Sequence, residues 1–127
     1  MTNATTMLRL ELDQCDPHTL GFLWGLTSSV SKDDGGNLLL ARLSQRFERE
    51  YAARTGKVVT VTNLPTQNSF DLEGYSIQDL RKAYAHFSCL TAAFESNAKR
   101  SSSRFCKLIM DCIAAALDTH SCNAGHA

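Results

Sequence analysis

Over residues 6–13, leucines alternate with other residues. Leu8, Leu10 and Leu12 fall on one side, and Met7, Arg9, Glu11 and Asp13 on the other. A period of two with one apolar side predicts a strand covered on one face. Asp16 then stands before Pro17, an N-cap residue with proline at the first helical position. Leu20, Leu23, Trp24 and Thr27 recur at spacings of three and four, which predicts a helix to about residue 31. Gly21 and Gly25 lie inside it, where each costs about 1 kcal/mol, so their spacing predicts close approach of another backbone. After a turn over residues 32–36, with Asn37 as N-cap, the residues Leu39, Leu40, Leu43, Phe47 and Tyr51 form a clean apolar stripe. It ends at Gly56, a C-cap candidate.

The β-branched run Val58 to Thr62 predicts a second strand over residues 57–63, stopped by Leu64-Pro65. Residues 70–73 alternate again and are read as a short third strand returning antiparallel to the second. Ser76 and Asp79 make a variant capping box for a helix starting at residue 77, with a stripe of Ile77, Leu80, Tyr84, Phe87, Thr91 and Phe94. A polar run over residues 97–103 breaks that period. A last helix follows, with Phe105, Leu108, Ile109, Cys112, Ala116 and Leu117 on one face. The expected fold class is α+β, a small sheet of about three strands with four helices in the order βααββαα. It forms a single domain over residues 1–118, with 119–127 as a flexible tail. No self-similarity is evident at periods of 20 to 50 residues. Three strands cannot cover four amphipathic helices, so helices must pack on one another or on a second copy, and the open sheet edges leave room for a homodimer.

Composition narrows the classes. The 127 residues are 43% hydrophobic and 20% charged, a globular balance for one domain. No run approaches the ~20 apolar residues that span a bilayer, and the first six residues do not resemble a secretory leader. Five cysteines, an odd number, point to reduced thiols and a cytoplasmic setting rather than a disulfide framework.

Candidate chemistry is sparse. Cys15-Asp16-Pro17-His18 places a thiol at a helix N-terminus, which can activate a nucleophile, but the Asp16 charge opposes ionisation and no CxxC partner exists. Cys15 reads as an ordinary residue at a strand end. His120, Cys122 and His126, with Cys112 upstream, are ligand types for zinc at spacings that match no finger or ribbon. Asp33-Asp34-Gly35-Gly36-Asn37 lacks the alternating acids of a calcium loop and reads as a turn. His86, among aromatic helix positions, reads as packing. Phosphate-binding, dinucleotide-binding, hydrolase-elbow and metalloprotease motifs are missing, so no enzyme activity, cofactor or metal is expected.

The distribution of charge is more informative. Thirteen basic and thirteen acidic residues cancel. Residues 1–36 nevertheless carry a net −3, 37–57 +3, 58–97 −2 and 98–127 +2. Arg42, Arg46 and Arg49 fall within about 60° of one another on the second helix, opposite its stripe. Lys99, Arg100, Arg104 and Lys107 bracket the serine-rich turn. The plain reading is a solvated helix face with Arg46 and Glu50 paired across one turn. The sharper one is a recognition surface of Arg42, Arg46, Arg49, Lys99, Arg100 and Arg104, anchored by Trp24, Tyr51 and Tyr75.

The expected function is accordingly a non-catalytic, protein-binding regulator or inhibitor, of a kind that suits a phage or mobile element acting stoichiometrically on a host defence complex. A nucleic-acid-binding accessory protein using the arginine face is the alternative, and a small enzyme with a site invisible in sequence the second. A pI near 6.9 weighs against the nucleic-acid reading.

Overall fold

The computed structural model describes residues 7–33, 36–56 and 67–125. They hold two short strands, β1 (Met7–Arg9) and β2 (Ser69–Asp71), and four helices, α1 (Pro17–Asp33), α2 (Leu38–Thr55), α3 (Ile77–Ser96) and α4 (Arg100–Gly125). Two 3-10 turns, Leu12–Gln14 and Leu72–Gly74, precede α1 and α3. The α+β expectation is overturned: the chain is mostly helical, and its sheet has two strands among the described residues, not three. β1 pairs antiparallel with β2, Leu8 opposite Phe70, so the segment expected as a third strand is paired with residues near the start of the chain. The expected strand over 57–63 lies outside the described residues.

The chain divides into two compact units, residues 11–68 and residues 1–10 with 69–127. The first is a hairpin of α1 on α2. Leu20, Leu23 and Thr27 of α1 and Leu39, Leu40, Leu43 and Phe47 of α2 are wholly buried in it. The expected caps are all made. Asp16 accepts from the Thr19 amide at 2.7 Å, Asn37 accepts from the Leu40 amide at 2.9 Å, and Gly56 closes α2 at φ 73, a left-handed conformation that glycine adopts without steric cost. Gly21 is a close-approach site, but what approaches is a ring rather than a backbone, since a Cβ there would lie 2.9 Å from Tyr51 Cε1. Gly25 has open space around it.

The second unit packs α3 on α4, with β1 and the turn Leu72–Gly74 against α4. Ser76 caps α3 by accepting from the Asp79 amide at 3.1 Å. Leu80, Phe87, Thr91 and Phe94 of its expected stripe are buried, whereas Tyr84 is exposed. On α4, Phe105, Ile109 and Ala116 are buried with Cys106 and Ile113, whereas Leu108, expected inside, is 46% exposed. The buried line of α4 is therefore rotated from the expected one toward Cys106 and Ile113. α4 also continues through 119–125, where the sequence loses its apolar period.

The two helical hairpins are approached alike. Sixty residues after Leu10-Glu11-Leu12-Asp13 stands Phe70-Asp71-Leu72-Glu73, and the same backbone pattern follows both. The Cys15 amide donates to the Leu12 carbonyl as the Tyr75 amide does to that of Leu72, and the caps Asp16 and Ser76 and the buried Leu20 and Leu80 fall at the same offset. The first eight-residue alternation is thus cut short. Buried and exposed side chains alternate as far as Leu12, but hydrogen-bonded strand stops at Arg9 because the chain winds into a 3-10 turn.

Candidate functional site: two basic groups

On α2 the three arginines do not share a surface. Arg46 is buried. Its Nε donates to Asn68 Oδ1 at 2.8 Å, and a terminal nitrogen pairs with Glu50 Oε1 at 3.0 Å. The physical reason is helical phase: Arg46 follows Leu39 by two turns, about 20° off the same line, and so lies at the core edge rather than opposite it. Glu50 also accepts from Arg54 Nε at 2.9 Å, and the other Arg54 nitrogens donate to the Leu12 carbonyl at 2.6 Å and to the Cys15 carbonyl. Burial pushes the Glu50 carboxyl up, but the Arg54 and Arg46 guanidiniums outweigh it and hold the group below its ordinary value. This chain of two guanidiniums and one carboxylate ties the 3-10 turn before α1 to α2. Arg54 carried no signal of its own in the sequence. Arg42 and Arg49 remain exposed.

The expected aromatic anchors are largely engaged. Trp24 and Tyr51 pack on each other with ring centres 5.9 Å apart, and both are half-buried. Tyr75, also half-buried, caps the turn Leu72–Gly74. His86 packs edge-on against Phe87 at 5.1 Å, the packing role expected of it.

The second basic group stands open. Lys99, Arg100, Arg104 and Lys107 are all exposed, and among the described residues none of them makes an ion pair. Arg100, Arg104 and Lys107 succeed one another at spacings of four and three on one side of α4. With Glu95, Ala98 and Ser103 they line an open hollow of about 550 Å³ beside the α3–α4 turn. Ser103 Oγ donates to Glu95 Oε1 at 3.3 Å. Ala98, in the turn, has φ 58, a left-handed conformation costing roughly 1–2 kcal/mol for a residue with a Cβ. The turn holds it there through the Lys99 amide, which donates to the Phe94 carbonyl at 2.9 Å. Beyond Lys107 the same side of α4 turns acidic, with exposed Asp111 and Asp118.

Cys15 is buried, and desolvation outweighs the Arg54 charge to push its thiol up to about 12, so it is protonated at neutral pH. Burial also raises the Cys112 thiol. No cluster of three metal-ligating side chains occurs among the described residues. The tail ligands His120, Cys122 and His126 and the loop residues Asp34 and Gly35 lie outside the described side chains. Among the described residues no helix is long and apolar enough to cross a membrane. No protein-family model, curated protein or solved structure matches the chain.

Proposed function

We propose that this chain is a non-catalytic protein-binding module, a regulator that acts by occupying its partner, and that the solvent face of α4 is its contact surface. The observation that carries this reading is the set of three exposed cations, Arg100, Arg104 and Lys107, which have no ion-pair partner among the described residues and border a hollow. Guanidinium forks at such a place suit carboxylates presented by another protein. The basic run is about 10 Å long, a length over which a DNA duplex presents about six phosphate charges. Asp111 and Asp118 follow at once on the same side and would repel a phosphate backbone, which favours a protein over a nucleic acid.

The test compares the chain with its triple reversal R100E/R104E/K107E, in capture from the native host and in binding to random oligonucleotides. The expected result is a stoichiometric protein partner lost on reversal, with unfolding stability unchanged within about 0.5 kcal/mol because the positions are exposed. Oligonucleotide affinity falling linearly in log salt, and abolished by the reversal, would replace this reading with the nucleic-acid one.

A further inference from the structure

The solvent face of α4 is charged in a self-complementary order. Arg100, Arg104, Lys107, Asp111, Ala114 and Asp118 succeed one another at spacings of four, three, four, three and four, the seam spacing of paired helices. At 100° per residue they fall within about 80° of one another. The seam is about 27 Å long, basic in its first half and acidic in its second. All five charged members are exposed. Lys107 and Asp111, one turn apart, make no ion pair within the helix.

Resting on the reading of α4 as a protein-contact face, we infer that in the absence of that partner the face is occupied by a second copy of this chain, docked antiparallel along α4 about a two-fold axis at the level of Ile109 along the helix, on the side opposite its buried side chain. That arrangement sets Arg100 against Asp118 of the second copy, Lys107 against its Asp111 and Arg104 against its Ala114, and the two-fold repeats each contact. Residue by residue the interface is isologous. A parallel arrangement would instead set Arg100 on Arg100 and is excluded by charge. The helix dipoles agree with the side chains. The first turn of α4 carries Arg100 and no acid, a cation at the positive end of the dipole. An acid from an antiparallel neighbour offsets that unfavourable placement. Leu108, exposed on the flank of the seam, is covered in the pair. With charge as its main cement and a single leucine per copy, the dimer is weak and salt-sensitive.

Sedimentation equilibrium of the full chain tests this. At ~10 mM ionic strength, where charges are screened over about 30 Å, the mass should rise from 14.0 kDa toward twice that value as protein approaches about 1 mM, and fall back at ~1 M salt. K107D and D111K should each weaken self-association by about tenfold or more, since each turns two attractive contacts repulsive. Mixed with one another, the two variants should form a heterodimer, because the two-fold then places opposite charges at both contacts again. The exchange of R100D with D118K gives the same readout should either first variant fail to fold. A chain that stays monomeric at low salt, or a wild-type dimer whose variants associate as before or do not rescue one another, overturns the inference. Monomeric behaviour together with a captured partner lost in R100E/R104E/K107E would leave α4 as a contact face for a different protein. The loss of both would remove that reading as well.

Discussion

In the unit of α1 and α2, Arg46 and Arg54 are tied into the fold, while Arg42 and Arg49 stay exposed. Arg46 bonds Asn68 and Glu50, and Arg54 bonds Glu50 and the carbonyls of Leu12 and Cys15. In the unit of α3 and α4, Arg100, Arg104 and Lys107 face solvent beside a hollow, with no ion-pair partner among the described residues. Both hairpins are entered through a 3-10 turn followed by a capped helix, so the difference does not lie in how the hairpins start. It lies in phase. Arg46 stands in line with Leu39, at the margin of a buried stripe, whereas Arg104 stands well away from the line of Phe105, Ile109 and Ile113. A group of arginines thus becomes part of the fold or part of the surface according to a rotation of a few tens of degrees, and composition alone does not distinguish the two.

The comparison can be broken most forcefully in the cores. Phe47→Ala removes a wholly buried ring from α2 and should cost about 3–5 kcal/mol, read from urea midpoints. Leu108→Ala, on the exposed side of α4, should stay within about 0.5 kcal/mol. Similar losses at both positions would mean that the buried line of α4 has been drawn on the wrong side.

A smaller effect separates the two glycines of α1. Gly25→Ala should stabilise by roughly 0.5–1 kcal/mol, because its Cβ meets nothing and the helix interior favours alanine. Gly21→Ala should lose that gain, since its Cβ would press on a Tyr51 ring already packed against Trp24. Thermal unfolding of both variants gives the sign directly.

The subtlest expected difference is in pH dependence. The folded Glu50 carboxyl titrates below its unfolded value of about 4.5, so its contribution is complete above that pH and is lost as pH falls through the lower folded value. Glu50→Gln should therefore flatten the acid limb of the stability curve below about pH 4.5. A variant whose acid limb keeps the wild-type slope would show that the pairing with Arg46 and Arg54 contributes nothing to folding.

What was legible in the sequence was local. Asp16, Asn37, Ser76 and Gly56 act within a few residues of themselves, and each cap forms as its residue type dictates. The stripe of α2 was legible because five large apolar residues keep one phase. The pairing of β1 with β2 was not, since three-residue strands carry little pattern and their partner lies sixty residues away. The likeness of the approaches to α1 and α3 was missed for a related reason. It rests on burial and on the hydrogen-bonding roles of Asp16 and Ser76, which differ in identity, and its spacing exceeds the periods of ordinary repeats. On α4, the seam from Arg100 to Asp118 is present in the sequence as a four-three spacing, yet without knowing which side is buried it cannot be told from an ordinary solvated helix.

The most direct test of this division of labour is the urea midpoint of two double reversals measured side by side, R46E/R54E on α2 and R104E/K107E on α4. The first pair should lose several kcal/mol, because it places acids beside Glu50 and releases the Leu12 and Cys15 carbonyls. The second should unfold within about 0.5 kcal/mol of the wild-type chain. Equal losses in the two variants, or a larger loss on α4, would contradict the assignment of one basic group to the fold and the other to the surface.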